Sequence, residues 1–477
     1  MPRAKAREYQ STSQYGLQGH ARLKRSGSTF TPLGGVGEIG GNKFLVEDGD
    51  TRILLDFGVS YSDRRRFYSE PLLSPRDERE LLEFGMLPKL PGLYKFEESE
   101  PSIQGVFLSH SHGDHSACIS FLNRKIPVYC GETTATIIRA LYETRTKSLE
   151  ADISGLRFNT FRTGSKIKLG SIEVEPVHVD HSVPAAYGFV VYTSEGTLVY
   201  TGDLRAHGTK SEMTKDFVER ARESRADVLL AEGTNLIGAT LTTEAEVQSK
   251  ISSIVRSSSK IVLADFSNVD VDRFRTFYNV VKESGRVLAI SLRQAYLLSK
   301  LANEGKIAIP DVAHDKHVVI YQRAKKRYFE WEKSVLSLPN VVEASDIKNK
   351  QSNTVLASTP RDFKELVEIR PEPGSCFILS ISEPFNEEQE FEFERVVNWL
   401  DHFGLPMYHV HCSGHIMPGE VKSIIDRIKP KMMYPMHTEH PELYVKFVSD
   451  TVRATVPQKN VAYPIGSSSA RTSQTQS

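Results

Sequence analysis

Six consecutive residues, His110-Ser111-His112-Gly113-Asp114-His115, constrain this chain more than any other feature. They follow the apolar run Val106-Phe107-Leu108, which reads as a strand. Four potential metal ligands therefore arrive together at a strand end. Residues two apart in extended backbone project to one side, so His110 and His112 point the same way. Asp114 and His115 fall on the turn entering a helix and are aimed from another direction. One loop can thus serve two metal ions a few ångströms apart, the arrangement of a two-metal hydrolase.

Such a site needs ligands from elsewhere, and the sequence offers them in similar settings. His181 lies just before a strand, Asp203 just after one, and His437 follows Tyr434-Pro435-Met436. Each alone would more often be a structural histidine or a capping aspartate; beside the first motif they become candidate ligands.

At 477 residues the chain exceeds one ordinary core. Short apolar strands are expected at 43–46, 53–56, 103–108, 128–130, 172–176, 188–192, 197–201 and 228–231. A second α/β stretch runs from about 242 to 403, with strands at 261–265, 287–290, 318–321 and 376–381, before chemistry-bearing residues resume at His409. That order predicts an inserted domain. Gly35-Val36-Gly37-Glu38-Ile39-Gly40 matches the dinucleotide fingerprint, but a strand rather than a helix follows, so it reads as a glycine-rich hairpin and no nicotinamide cofactor is expected.

Charge is balanced, 60 basic against 60 acidic residues, which does not advertise a nucleic-acid binder. It does not exclude one either, because bound metals add charge that sequence counting misses. Basic stretches near the N-terminus and at 323–327 (RAKKR) read as solvated faces. Cys118, Cys130, Cys376 and Cys412 form no CxxC pair, as expected of free thiols in a reducing cytoplasm. No apolar run reaches the roughly 18 residues that cross a bilayer, and no export signal is evident.

The ordered series Asp56, HSHGDH, His181, Asp203 and His437 resembles the motif set of the metallo-β-lactamase superfamily over most of residues 30 to 460. The likeness implies an α/β fold, an αββα sandwich with an inserted α/β domain. It implies two Zn2+ per chain, with Mn2+ or Mg2+ as further activators: His110, His112 and His181 hold one, Asp114, His115 and His437 the other, and Asp203 bridges both. Asp56 then fixes the orientation of a ligating imidazole. The segment Leu230-Ala231-Glu232-Gly233-Thr234-Asn235 and the run from His409 to His415 resemble the boundary motifs of the β-CASP nucleases. Within that group the glycine-rich opening at 32–42, the HSVP at 181 and Phe266-Ser267-Asn268 are most similar to the ribonuclease J family.

That resemblance implies a cytoplasmic, homodimeric enzyme acting on single-stranded RNA as a 5′-to-3′ exonuclease, with endonuclease activity in some members. It assigns His415 to acid catalysis near the scissile phosphate, Glu232 to holding its ring, and Ser267, Asn268, His411, Ser413 and Gly414 to a 5′-phosphate pocket. His415 could instead be a turn residue before a helix opened by Pro418, with an apolar face of Val421, Ile424, Ile425 and Ile428. The pocket residues could be ordinary turn formers.

The division expected is a basic arm at 1–28, a metallo-β-lactamase domain at 29–235 and 406–465, a β-CASP domain at 236–405, and a tail at 466–477. Two other readings stay open: a different hydrolase on the same fold, either a DNA nuclease or a small ester or thioester hydrolase, and a scaffold that has lost its metals. The chain departs from the family in a long charged segment at 59–102, in lacking a glycine- and glutamine-rich turn at 379–385, and in ending near 465 without a further domain.

Overall fold

The computed structural model describes residues 27–69, 72–145, 149–381 and 387–466, except the side chains of 387–392. Most of the expected arm and tail, and most of the turn at 379–385, lie outside the described residues.

The strands form three sheets. The first runs in the order Tyr463–Pro464, Ser28–Gly34, Lys43–Asp48, Thr51–Leu55, Gly105–Phe107, Val128–Gly131, Phe158–Phe161. The second runs Met432–Met436, Val228–Glu232, Thr197–Tyr200, Ala186–Tyr192, Ile172–Val179, Ile167–Leu169. Alternating apolar side chains on their facing surfaces interleave: Phe30, Phe44 and Phe107 meet Phe189, Tyr200 and Tyr434. The outer faces carry helices. Leu54, Val106 and Val128 pack on Ile119, Phe121 and Ile138, while Val190, Val199 and Leu229 pack on Phe217 and Ile425. The result is an αββα sandwich.

The chain leaves the second sheet at Glu232 and rejoins it at Met432. Between lies a third, all-parallel sheet in the order Val341–Val342, Val318–Tyr321, Val287–Ser291, Thr354–Ala357, Val262–Asp265, Cys376–Leu379, Met407–His409. Its strands are short continuous apolar runs because both faces are covered, by Ile251, Phe274 and Leu298 on one side and Leu366, Ile369 and Leu400 on the other. The strand Met407–His409 lies past the expected boundary at 405; a three-residue, exposed edge strand leaves no periodic signal.

A buried charge network ties the insertion to the sandwich. Arg205, wholly buried, donates to Asp180 at 3.3 Å, Glu244 at 2.8 Å and Asp272 at 3.4 Å, and Arg273 donates to both oxygens of Glu244 at 3.2 Å. The glycine-rich run is the loop of the antiparallel hairpin Ser28–Gly34/Lys43–Asp48. Gly40 has φ +89°, and a Cβ there would stand 2.8 Å from Asp114 Cβ, so a side chain would push the ligand loop away. The segment 59–102 forms short helices at Tyr61–Phe67 and Glu78–Glu83, N-capped by Ser60 and Asp77. Among the described residues no helix is long and apolar enough to cross a membrane.

Candidate metal centre

Strand ends deliver the candidate ligands to one edge of the sandwich. The parallel register pairs Tyr200 with Leu230 and Glu232 with Met436, which brings Asp203, Glu232 and His437 side by side. His110 Nε2 and His112 Nδ1 are 3.0 Å apart, and His181 Nε2 is 3.1 Å from His112 Nδ1. Asp203 Oδ2 lies 3.7 Å from His110 Nε2 and 3.9 Å from His181 Nε2. The same oxygen lies 3.1 Å from His115 Nε2 and 3.7 Å from His437 Nε2. Asp114 Oδ2 closes this second set, 3.1 Å from His437 Nε2 and 3.8 Å from His115 Nε2. Each set offers four donor atoms within 4.8 Å of one another, and Asp203 belongs to both.

The outward nitrogens are held by partners that fix which nitrogen faces inward. His181 Nδ1 donates to Gly414 O at 2.6 Å, and His115 Nδ1 donates to Asp56 Oδ2 at 2.7 Å. Ser109 Oγ contacts His110 Nδ1 at 3.0 Å, and Thr234 Oγ1 contacts His437 Nδ1 at 2.8 Å. Asp56 also accepts from Ser109 N at 2.6 Å, Ser109 Oγ at 2.8 Å and Tyr200 OH at 2.5 Å. Asp56 and His437 adopt left-handed φ values of 57° and 51°, which costs a non-glycine residue on the order of 1 kcal/mol and is tolerated where the surroundings demand it.

These residues suit a cation. Burial holds His110 and His181 well below the usual imidazole range and His112 down to about 4, so their lone pairs are available. Burial works against a charge on His115 too, but Asp203, Asp56 and Asp114 outweigh it and hold that ring protonated; an ion would take the proton's place. Asp203 Oδ1 is buried without a hydrogen-bond partner among the described residues.

Beside the centre, His415 Nδ1 is 3.1 Å from Glu232 Oε1 and 3.8 Å from Asp203 Oδ2. Glu232 is almost wholly buried and accepts from Leu204 N, Thr234 N and Thr234 Oγ1 as well. Burial alone would lower His415, but Glu232 and then Asp203 push it up to about 9. Glu232, His415 and His437 form a third grouping of metal-competent donors, but Glu232 is already committed to these hydrogen bonds.

The residues expected to recognise a 5′-phosphate are differently placed. Ser413 Oγ accepts from Asn235 Nδ2 at 2.9 Å and His415 N at 3.1 Å, and Gly414 sits against His181 and Ser182. Ser267 and Asn268 lie in the turn before the helix Val271–Ser284, where Ser267 O accepts from Asp270 N at 3.1 Å and Asn268 Oδ1 accepts from Ser291 Oγ at 3.1 Å. His411 Nδ1 is 3.3 Å from Ser380 O, and burial, with Arg273, pushes its ring down to about 3.

Sequence reasoning missed several partners: Asn42 at 2.9 Å from His115 Nε2, Ser109, Tyr200, and Thr234, which touches Glu232, His415 and His437. Only Thr234 had a signal, its place directly after Glu232-Gly233.

Comparison with known proteins agrees with this geometry. Residues 51–244 match the beta-lactamase superfamily domain. A crystal structure of a protein of unknown function from Enterococcus faecalis V583 shares the fold, with TM-score 0.73 and 22% identity, over 92% of this chain and 100% of that one. Residues 51–244 therefore carry a beta-lactamase superfamily domain. The chain is similar to Ribonuclease J2 of Bacillus subtilis (24% identity over 86% of this chain and 68% of that one) and to Ribonuclease J of Sinorhizobium meliloti (25%, 87% and 69%). Ribonuclease J of Thermus thermophilus is 25% identical over 90% of this chain and 70% of its own. This protein is a relative of the ribonucleases J, and an enzyme of the metal-dependent hydrolase class.

Proposed function

We propose that this protein is a ribonuclease that hydrolyses RNA phosphodiester bonds at a dinuclear zinc centre, removing nucleotides from a 5′-monophosphorylated end. The observation that carries the reading is the single oxygen of Asp203 shared between two ligand sets, with the His415–Glu232 pair beside it. His110, His112, His181 and Asp203 would hold one ion and Asp114, His115, His437 and Asp203 the other; the imidazole-rich donor set suits zinc, with manganese or magnesium as alternatives. Bound ions would supply an acidified water and positive charge at the phosphate.

The chain's own groups do the rest. Asp56 and Gly414 O hold His115 and His181 in register. His415, kept protonated by Glu232, presents a donor to a phosphate oxygen or the leaving oxygen. Ser413 and Gly414, next in chain to His415, are offered for the terminal phosphate, with Ser267, Asn268 and His411 in the same role on family likeness. An inserted domain of this size would cover an otherwise open site, which favours a polymer substrate over a small ester. Four buried free cysteines favour a reducing cytoplasm, and a homodimer is proposed on likeness alone.

The test is end-labelled 5′-monophosphate and 5′-triphosphate RNA, with matched DNA, incubated with the purified protein. Mononucleotides from the monophosphate RNA support the reading, and internal fragments shift it to an endonuclease. Zinc-loaded protein that cleaves neither polymer, or only DNA, overturns it.

A further inference from the structure

Tyr61 opens the helix Tyr61–Phe67, near the start of the 59–102 segment. Its helix buries no residue, and the Tyr61 side chain is 47% exposed. At the helix's far end Phe67 packs against the core and stacks on Phe84 at 4.2 Å, and at its start polar bonds hold it. Ser62 donates to Glu38 at 2.7 Å, Ser60 bonds the same carboxylate, and Val59 N donates to Gly113 O at 3.0 Å. The Tyr61 hydroxyl consequently sits 2.5 Å from where a Cβ on Gly113 would stand, between His112 and Asp114. It has no hydrogen-bond partner among the described residues. A half-exposed aromatic side chain is thus held with its hydroxyl against the ligand loop.

From Tyr61 a series of arginines leads away across both domains. Arg64, one turn on, pairs with the buried Glu150, whose backbone carbonyl also accepts from Arg145 at 3.5 Å. Arg145 is exposed and lies over the Tyr142 ring at 5.0 Å. The preceding carbonyl, Thr144 O, accepts from Arg293 of the inserted domain at 3.0 Å. Arg323 pairs with Asp362 at 2.6 Å, next to the exposed Arg361. Arg361, Arg145 and Arg323 crowd Arg293 closely enough that, after burial, their charges lower its pKa. Glu332, the other carboxylate near Arg293, is taken by Lys325 at 2.5 Å. Arg64, Arg145, Arg293, Arg323, Arg361 and Lys325 thus stand with Glu150, Asp362 and Glu332, while Glu365 and Glu143 are bonded to Tyr321 and Tyr296 close by. Beyond them Lys326 and Arg327 are exposed, and Phe329 is 54% exposed with Lys325 over its ring at 5.3 Å.

We propose that Tyr61 and the arc Arg145, Arg293, Arg361 and Arg323 form the surface on which single-stranded RNA lies as it runs to the metal centre, a base stacking on Tyr61 and the phosphates following the guanidinium groups. Aromatic side chains interspersed among cations suit a single strand, whose bases are free to stack, better than a duplex. The surface deepens the ribonuclease reading and rests on it.

The experiment measures binding of a 5′-phosphorylated phosphorothioate RNA of about 20 nucleotides to the intact protein by fluorescence anisotropy across a salt series. Tyr61→Ala is expected to weaken binding roughly tenfold while Tyr61→Phe holds it. Arg145→Glu combined with Arg361→Glu is expected to weaken binding at least tenfold and to flatten the salt slope by about one to two charges. These positions are exposed, and a melting curve like the wild type's checks that each variant folds. Wild-type protein that binds and cleaves RNA, with folded variants that bind as tightly and with the same salt slope, overturns the surface alone. Wild-type protein that neither binds nor cleaves RNA overturns the ribonuclease reading and the surface with it.

Discussion

Glu232 Oε1 stands 3.1 Å from His415 Nδ1 although 183 positions of chain separate the two residues. The first ends the strand before the insertion and the second follows the insertion's last strand, so the excursion through the third sheet returns His415 to the carboxylate it bonds. His415→Ala is expected to lower the cleavage rate 10²–10⁴-fold, the usual range for losing a general acid, with metal content unchanged. Glu232→Gln should lower it less. Single-turnover kinetics beside metal analysis separates loss of the acid from loss of the ions.

Asp56 gathers Ser109, Tyr200 and His115 on one carboxylate. Asp56→Ala is expected to weaken metal binding roughly 10- to 100-fold, as loss of an outer-shell carboxylate does. Competition with a chelator of known affinity reads this directly. Tyr200→Phe, which removes one of the four hydrogen bonds, should cost a fraction of that.

Glu244 receives both Arg205 and Arg273 in the buried network between sandwich and insertion. Glu244→Ala leaves two buried guanidinium groups short of a counter-charge and is expected to destabilise the protein by about 3–5 kcal/mol. Denaturant unfolding measures it; a loss under about 1 kcal/mol would show the network to be dispensable.

Asp265 ends a strand of the third sheet, and burial, with Asp362 nearby, pushes its carboxyl up to about 7. The folded chain therefore holds a proton there that the unfolded chain releases near pH 4. This group's contribution is fully present below about pH 4, is lost progressively as pH rises to about 7, and is flat above that. Asp265→Asn, which stays neutral, is expected to flatten the stability profile between about pH 4 and 7 and to raise stability at pH 8 by on the order of 2–4 kcal/mol. Unfolding curves at several pH values check it.

The candidate metal motif was legible in the sequence because four of its residues fall within six positions of one loop. His181, Asp203 and His437 were legible because each follows or adjoins a strand whose apolar run is visible. Asn42, by contrast, reaches His115 across 73 positions, and nothing local to Gly41-Asn42 marks that meeting. Tyr200 reads as one more apolar residue of its strand until the fold stands it against Asp56. The RAKKR run read as a solvated face, and only the carbonyl of Thr144, reached by Arg293, shows the neighbouring arginines continuing into the sandwich. Expected strand limits were off by a few residues because hydrogen-bond pairing, not apolarity, ends a strand.

The most direct test of the shared-ligand centre is to count metal and assay RNA cleavage on the same preparations of wild type, His112→Ala and Asp203→Ala. Two ions per wild-type chain are predicted, with one lost in His112→Ala, fewer than one left in Asp203→Ala, and cleavage abolished in both. An Asp203→Ala protein that keeps its metal and cleaves RNA at the wild-type rate would contradict the account.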